Sequence, residues 1–253
     1  MPPSESSELD SLLERKLANL REFQKGQEGV WGTINGAYLV SRGLVGAVAK
    51  DGALSTVGGH RLMMWQTVLD YQMESFFLLI DRRLDEGLAL LRMAAELARD
   101  VARISDDATL LDTWLNRAEG RAQKNAYRDA FRFSDSDSTE VYVHKLYDLA
   151  STFGIHGHLL TSSRLRPTHQ SPDGKVVGLE VPDVEVYRTL AIWLAAFFPL
   201  QELCHRAFRS CGGNTVVQAG TYYDEMRRAF DDIFATYRES LQKMDADVLS
   251  TLH

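Results

Sequence analysis

The chain has 253 residues, 45% of them hydrophobic and 25% charged, and a formal net charge of -7. That length suits one large domain or two small ones with a sizeable core. The acidic balance argues against a protein that coats nucleic acid without specificity, while leaving room for a local basic patch.

Cys204 and Cys211 are the only cysteines, which gives no disulfide scaffold and suits a reducing compartment. The start, "MPPSESSELD", is acidic and polar, the opposite of a signal peptide. The longest apolar run, 190–200, is about half a membrane span and contains Pro199. A cytoplasmic location with no membrane partner is the expectation.

In chain order, Leu9, Leu12, Leu13, Leu17 and Leu20 share one side of a first helix from Ser7 to about Lys25. The next stretch carries Gly29, Gly32, Gly36, Gly43 and Gly46. Small residues at this spacing permit close approach of two helices or loosen the chain near a ligand, and close packing is the expectation. From Leu62 to Ile80 a nearly all-apolar helix with the stripe Trp65, Leu69, Met73, Phe76 and Ile80 should occupy the bundle centre. Leu84 to Ile104 forms a helix with one apolar face and one bearing Arg92, Glu96, Arg99 and Arg103.

Ser105 and the following aspartates read as the cap of a helix through Trp114 that continues past Gly120. Residues 132–140, "RFSDSDSTE", form an internal linker between two helical halves. Asp137 and Glu140 then have the spacing that starts a helix burying Tyr142, Leu146, Leu149 and Phe153. Residues 162–182 make a loop or hairpin excursion, with a small β-hairpin near 173–181 around Asp173-Gly174. A helix follows from Pro182 to about Phe208, kinked at Pro199, and a last one carries Tyr222, Met226, Phe230, Ile233, Tyr237, Leu241 and Met244. The expected fold is all-α: a single domain over 1–253, a multi-helix bundle of six to eight helices with that one hairpin.

Motifs for dinucleotide, phosphate-loop, serine-hydrolase and zinc-protease chemistry are absent from the sequence. Four of the seven histidines, His144, His156, His158 and His169, fall within 26 positions. His144 pairs best with Asp148 one turn on. His156 and His158 are candidate ligand-binding residues on a glycine-relaxed helix exit, together with Glu74, flanked by apolar residues, and its candidate partner Arg92. Glu202 and His205 have the Glu-x-x-His spacing of carboxylate-bridged di-iron bundles, so Glu74, Glu202 and His205 are weak candidate metal ligands, although the second such motif is missing. No cofactor is predicted, a divalent metal being the one candidate.

Arg164 and His169 form an Arg-x4-His pair, chemically apt for holding a phosphate and moving a proton. The pair resembles the motif of small helical nucleases of the toxin–antitoxin and defence class, a resemblance that implies RNA cleavage at a homodimer groove. It departs from that motif at Leu165 and Pro167. Arg117, Arg121, Lys124, Arg128 and Arg132 would form one basic stripe on a continuous helix, a candidate polyanion or acidic-partner surface. The leading expectation is a non-catalytic binding or regulatory protein holding a small ligand or protein partner, with a homodimer as a candidate assembly. The alternatives are an enzyme acting on a phosphate-containing substrate such as RNA, and a metal-dependent helical enzyme.

Overall fold

The computed structural model describes residues 6–50, 55–154, 166–170, 176–180 and 183–209, together with Asp224, Arg227, Arg228, Asp231, Asp232 and Ala235, which have helical backbone. Eight helices stand among the described residues. They are α1 (Ser6–Gly26), α2 (Glu28–Lys50), α3 (Thr56–Ile80), α4 (Leu84–Asp106), α5 (Leu110–Leu115), α6 (Arg121–Ala130), α7 (Ser138–Gly154) and α8 (Asp183–Arg209). A two-stranded antiparallel hairpin, β1 (Arg166–Gln170) and β2 (Val176–Glu180), lies between α7 and α8. The fold is the expected all-α bundle. None of the described helices is long and apolar enough to cross a membrane.

The centre is a four-helix arrangement. α4 packs against α3, α7 and α8, and α8 also touches α3 and α7. α2 and α1 lie against α3 from outside. The centre is therefore shared, and α3 is not its sole occupant. From Thr189 to Phe208, α8 is buried at every position except Pro199 and Arg206. α3 buries Trp65, Val68, Leu69, Phe76 and Leu79 on one side and exposes Met63, Asp70, Glu74 and Phe77 on the other. That second set recurs at helical spacing, so an apolar helix still keeps a solvent face.

α3 and α4 form a tight hairpin. Ser55 caps the start of α3, its hydroxyl accepting from the Gly58 N–H at 3.1 Å. At the far end Arg82 adopts a left-handed φ of 64°, and the Arg83 N–H returns to the Leu78 carbonyl at 2.9 Å, the helix-ending motif that glycine more often serves. One turn on, Gly87 permits the closest approach. A Cβ there would lie 2.5 Å from Leu79 Cδ2 and 3.2 Å from the Ser75 carbonyl oxygen. Ser75 itself donates from its hydroxyl to the Gly87 carbonyl at 2.6 Å. Gly87→Ala is expected to lower stability by about 1–3 kcal/mol through overpacking, read as a reduced midpoint in urea unfolding; an unchanged midpoint would show that the hairpin relaxes freely.

The glycines of α2 behave differently from expectation. Added Cβ atoms at Gly29, Gly32, Gly43 and Gly46 would meet nothing within 4 Å, so these positions face open space and no helix packs closely over them. α2 instead buries Ile34, Ala37, Ser41, Leu44, Val45 and Val48. The leucine side of α1 is also incompletely covered, since Leu13 and Leu17 are exposed.

The region around Gly120 needs a second correction. Ser105 does not cap a helix: it remains within α4, where its hydroxyl accepts from Arg61 at 3.0 Å. Asp107 takes the turn instead, its Oδ1 accepting from the Thr109 N–H and hydroxyl. The helix then ends at Leu115, and Gly120 is extended (φ 169°, ψ -178°) before α6 begins. The continuous helix that would have aligned the basic stripe is therefore absent. In the hairpin, β2 falls where strand alternation places it. β1 extends over Pro167 and His169, which were expected in a loop, and a two-stranded edge tolerates proline. The Asp173-Gly174 turn, and the final helix beyond the six positions named, lie outside the described residues.

Candidate functional site

The start of α7 is built as the sequence indicates. Asp137 Oδ1 accepts the Glu140 N–H at 2.9 Å, the N-cap geometry, and Glu140 turns inward, where Arg103 donates to it at 2.7 Å. The inward face of α7 runs through Glu140, Val143, Leu146 and Ala150, with Tyr142 and Leu149 half-buried. Phe153 lies beyond the side chains described. Arg206, from α8, ties this helix start down with three bonds: to Glu202 Oε1 at 2.9 Å, Asp137 Oδ2 at 2.8 Å and the Thr139 hydroxyl at 2.6 Å. Burial works against ionisation of Asp137, but the Glu140 N–H, Arg206 and the Thr139 N–H outweigh it and hold the carboxyl below its ordinary range. The stability it contributes is therefore present above the ordinary carboxylate range and is lost as pH falls through its lowered value.

Against this anchored corner lies a pocket of about 380 Å³. One wall is a stripe of α8, Leu194, Ala195, Phe198, Pro199 and Glu202, and another is Ser138, Thr139 and Tyr142 of α7. Arg227 and Asp231, one helical turn apart, close the rim. The lining thus combines apolar surface with hydroxyls and charges of both signs. Pro199 adds a backbone feature. Having no N–H, it cannot bond the carbonyl four residues earlier, so Ala195 keeps a carbonyl without its helical donor. Both residues line the pocket.

A second hollow, about 270 Å³, opens between α3 and α4 beside Trp114 and Tyr127. Its floor is a closed polar network. Asp100, 2% exposed, accepts from Arg99 on Oδ1 at 2.7 and 3.0 Å, and from Trp114 Nε1 at 3.0 Å and the Tyr127 hydroxyl at 2.7 Å on Oδ2. Burial pushes the Asp100 carboxyl up while Arg99, Tyr127 and Trp114 pull it back; burial also pushes the Tyr127 phenol up. With its oxygens already engaged, Asp100 reads as a structural anchor.

The candidate residues from sequence do not form one cluster. Glu74 is exposed on the outer face of α3. Arg92 turns to Glu96 at 3.1 Å and the Tyr147 hydroxyl at 2.9 Å, not to Glu74. Glu202 faces the pocket, whereas His205 packs beside the Trp65 ring with centroids 6.2 Å apart. Among the described residues no group of three or more His, Cys, Asp or Glu side chains could hold a metal ion. His156, His158 and Arg164 lie outside the described residues, and of His169 only the strand backbone is described. His144 reaches Asp148 at 3.8 Å and stacks on Phe133. Cys204 is buried with its thiol pushed up by that burial, so it offers no thiolate.

The five basic residues are likewise divided. Arg121, Lys124 and Arg128 lie exposed on α6. Arg117, in the turn before it, stacks 3.7 Å from the Trp114 ring centre and bonds the Trp114 carbonyl. Arg132, beyond its end, pairs with Asp129 at 2.7 Å.

Of the pocket residues, the sequence marked Glu202 alone as a candidate; Pro199 and the Asp137 cap were visible only as structural signals. A proline and a carboxylate on one stripe of the most apolar helix were the available signs. Compared with known protein families, curated proteins and solved structures, the chain matches none. What the fold and the site define is a class: a helical bundle with one pocket of mixed polarity between α7 and α8.

Proposed function

We propose that the protein is a non-catalytic binding protein that holds a small ligand between α7 and α8. The observation that carries this reading is the pocket itself. Its volume of about 380 Å³ falls within the roughly 300–1,000 Å³ of small-molecule sites, and its lining is apolar with a few convergent polar groups, as such sites require. Its walls are also held rigidly, because Arg206 fixes the α7 start against α8 through three charge-assisted bonds. Preorganised walls lower the ordering cost of binding. The free, buried Cys204 thiol suits a reducing, cytoplasmic location.

The test is a fragment screen by ligand-observed NMR on the full chain and on Ala195→Phe, which fills the pocket from its α8 wall. Fragments that bind the wild type and lose at least tenfold in affinity to Ala195→Phe, with helical circular dichroism retained, support the reading. Equal binding by both proteins, or no binding fragment at all, contradicts it.

A further inference from the structure

Resting on that reading of the pocket, we propose that its ligand is zwitterionic: an apolar body carrying an ammonium and a carboxylate on neighbouring atoms, the chemistry of an apolar or aromatic amino acid. The two charges of the rim come from one helical turn. Arg227 and Asp231 are four residues apart, which sets their Cβ atoms about 5–6 Å from each other on one face. Both line the pocket and both are exposed. A guanidinium and a carboxylate at that separation can engage a carboxylate and an ammonium of one small molecule at the same time.

The remaining groups divide consistently between the two ends. Glu202 already receives Arg206 on Oε1, so its charge is largely balanced within the protein, and Asp231 is the carboxylate left facing Arg227. The Ala195 carbonyl, deprived of its helical donor by Pro199, is an acceptor in the wall and suits an ammonium N–H. The Ser138 hydroxyl donates or accepts and suits either end. Leu194, Phe198 and Tyr142 supply the apolar surface for the body. A ligand with only one charge would leave either Arg227 or Asp231 without its complement in the bound state, and that asymmetry is the source of selectivity.

The experiment is calorimetric titration of the full chain with four probes of one shape: L-phenylalanine, 2-phenylethylamine, 3-phenylpropanoate and 3-phenyl-1-propanol. L-Phenylalanine is expected to bind at least tenfold more tightly than any of the other three. Arg227→Ala should reduce it to the level of the amine, and Asp231→Ala to that of the carboxylate. Pro199→Ala returns an N–H to the Ala195 carbonyl, and should weaken the amine and the amino acid while leaving the carboxylate and the alcohol unchanged. Equal affinities for the four probes in the wild-type chain overturn the ligand class and leave the pocket reading standing. Failure of L-phenylalanine to bind at millimolar concentration also overturns it, and the fragment screen then decides separately whether the pocket binds anything.

Discussion

Asp100→Ala is expected to destabilise the protein by about 3–5 kcal/mol, the cost of removing one member of a buried ion pair. The loss comes mainly from what remains. Arg99, 11% exposed at its side chain, would keep its charge with its principal partner gone. The Trp114 indole N–H would lose its acceptor as well, and the Tyr127 hydroxyl would keep only its contact with Arg99. Asp100→Asn should cost less, because an amide oxygen still accepts from one or two of these donors. Replacing both charges, as Arg99→Met with Asp100→Leu, should recover part of the loss, since the residual cost is that of an uncompensated cation. Urea unfolding of the three variants reads this directly; a loss under about 1 kcal/mol for Asp100→Ala would show that the network is not holding α4 to the α5–α6 segment. The pH dependence has a definite sign. Burial raises the Asp100 carboxyl above its ordinary range, so the folded state takes up its proton first. Its contribution to stability is greatest below the ordinary carboxylate range and falls as pH rises through the raised value. Asp100→Asn removes that slope.

The second large effect lies in the core between α3 and α8. Trp65 Nε1 donates to Gln201 Oε1 at 2.7 Å, Gln201 Nε2 donates to Gln72 Oε1, and Gln72 Nε2 donates to the Phe197 carbonyl at 3.2 Å. Both glutamines are fully buried. The Phe197 carbonyl lies two residues before Pro199, where the ladder of α8 is interrupted, so the Gln72 amide supports the backbone next to the break. Gln201→Leu is close in volume but orphans the Trp65 indole N–H and the Gln72 amide oxygen, and a loss of about 2–4 kcal/mol is expected, at roughly 1–3 for each buried group left unpaired. Gln72→Leu should cost a similar amount through the Gln201 amide and the Phe197 carbonyl, while the Trp193 N–H bond survives because it uses the Gln72 backbone carbonyl. Thermal unfolding followed by circular dichroism measures both. A neutral Gln201→Leu would mean that water replaces the chain of amides.

The helices were legible in the sequence where one period dominates. α1, α3, α4 and α8 each carry a repeat long enough to fix their type, and the Asp137–Glu140 spacing announced α7 to the residue. Two local readings failed for identifiable reasons. Five basic residues at helical spacing suggested a continuous helix through Gly120, yet charges on a solvent face place no demand on the backbone, and the capping chemistry of Asp107 and Thr109 set the breaks. Glu74 looked buried because Met73 and Phe76 flank it, but one residue of offset is 100° of helix, enough to turn it to solvent. The pocket itself could not be seen in advance. It joins residues 138–142, 194–202 and 227–231, three separated segments whose members are ordinary where they stand. Only Pro199 and Glu202, both out of place on an apolar helix, hinted at it.

The most direct measurement is hydrogen–deuterium exchange of the full chain with and without a fragment or amino acid that passes the binding test. Ligand should slow exchange in peptides covering 138–142 and 194–202, and leave α5 and α6, beside the second hollow, unchanged. Slowing confined to α3, α5 or α6, with none at the α7 start or along the α8 stripe, would contradict a ligand seated between α7 and α8.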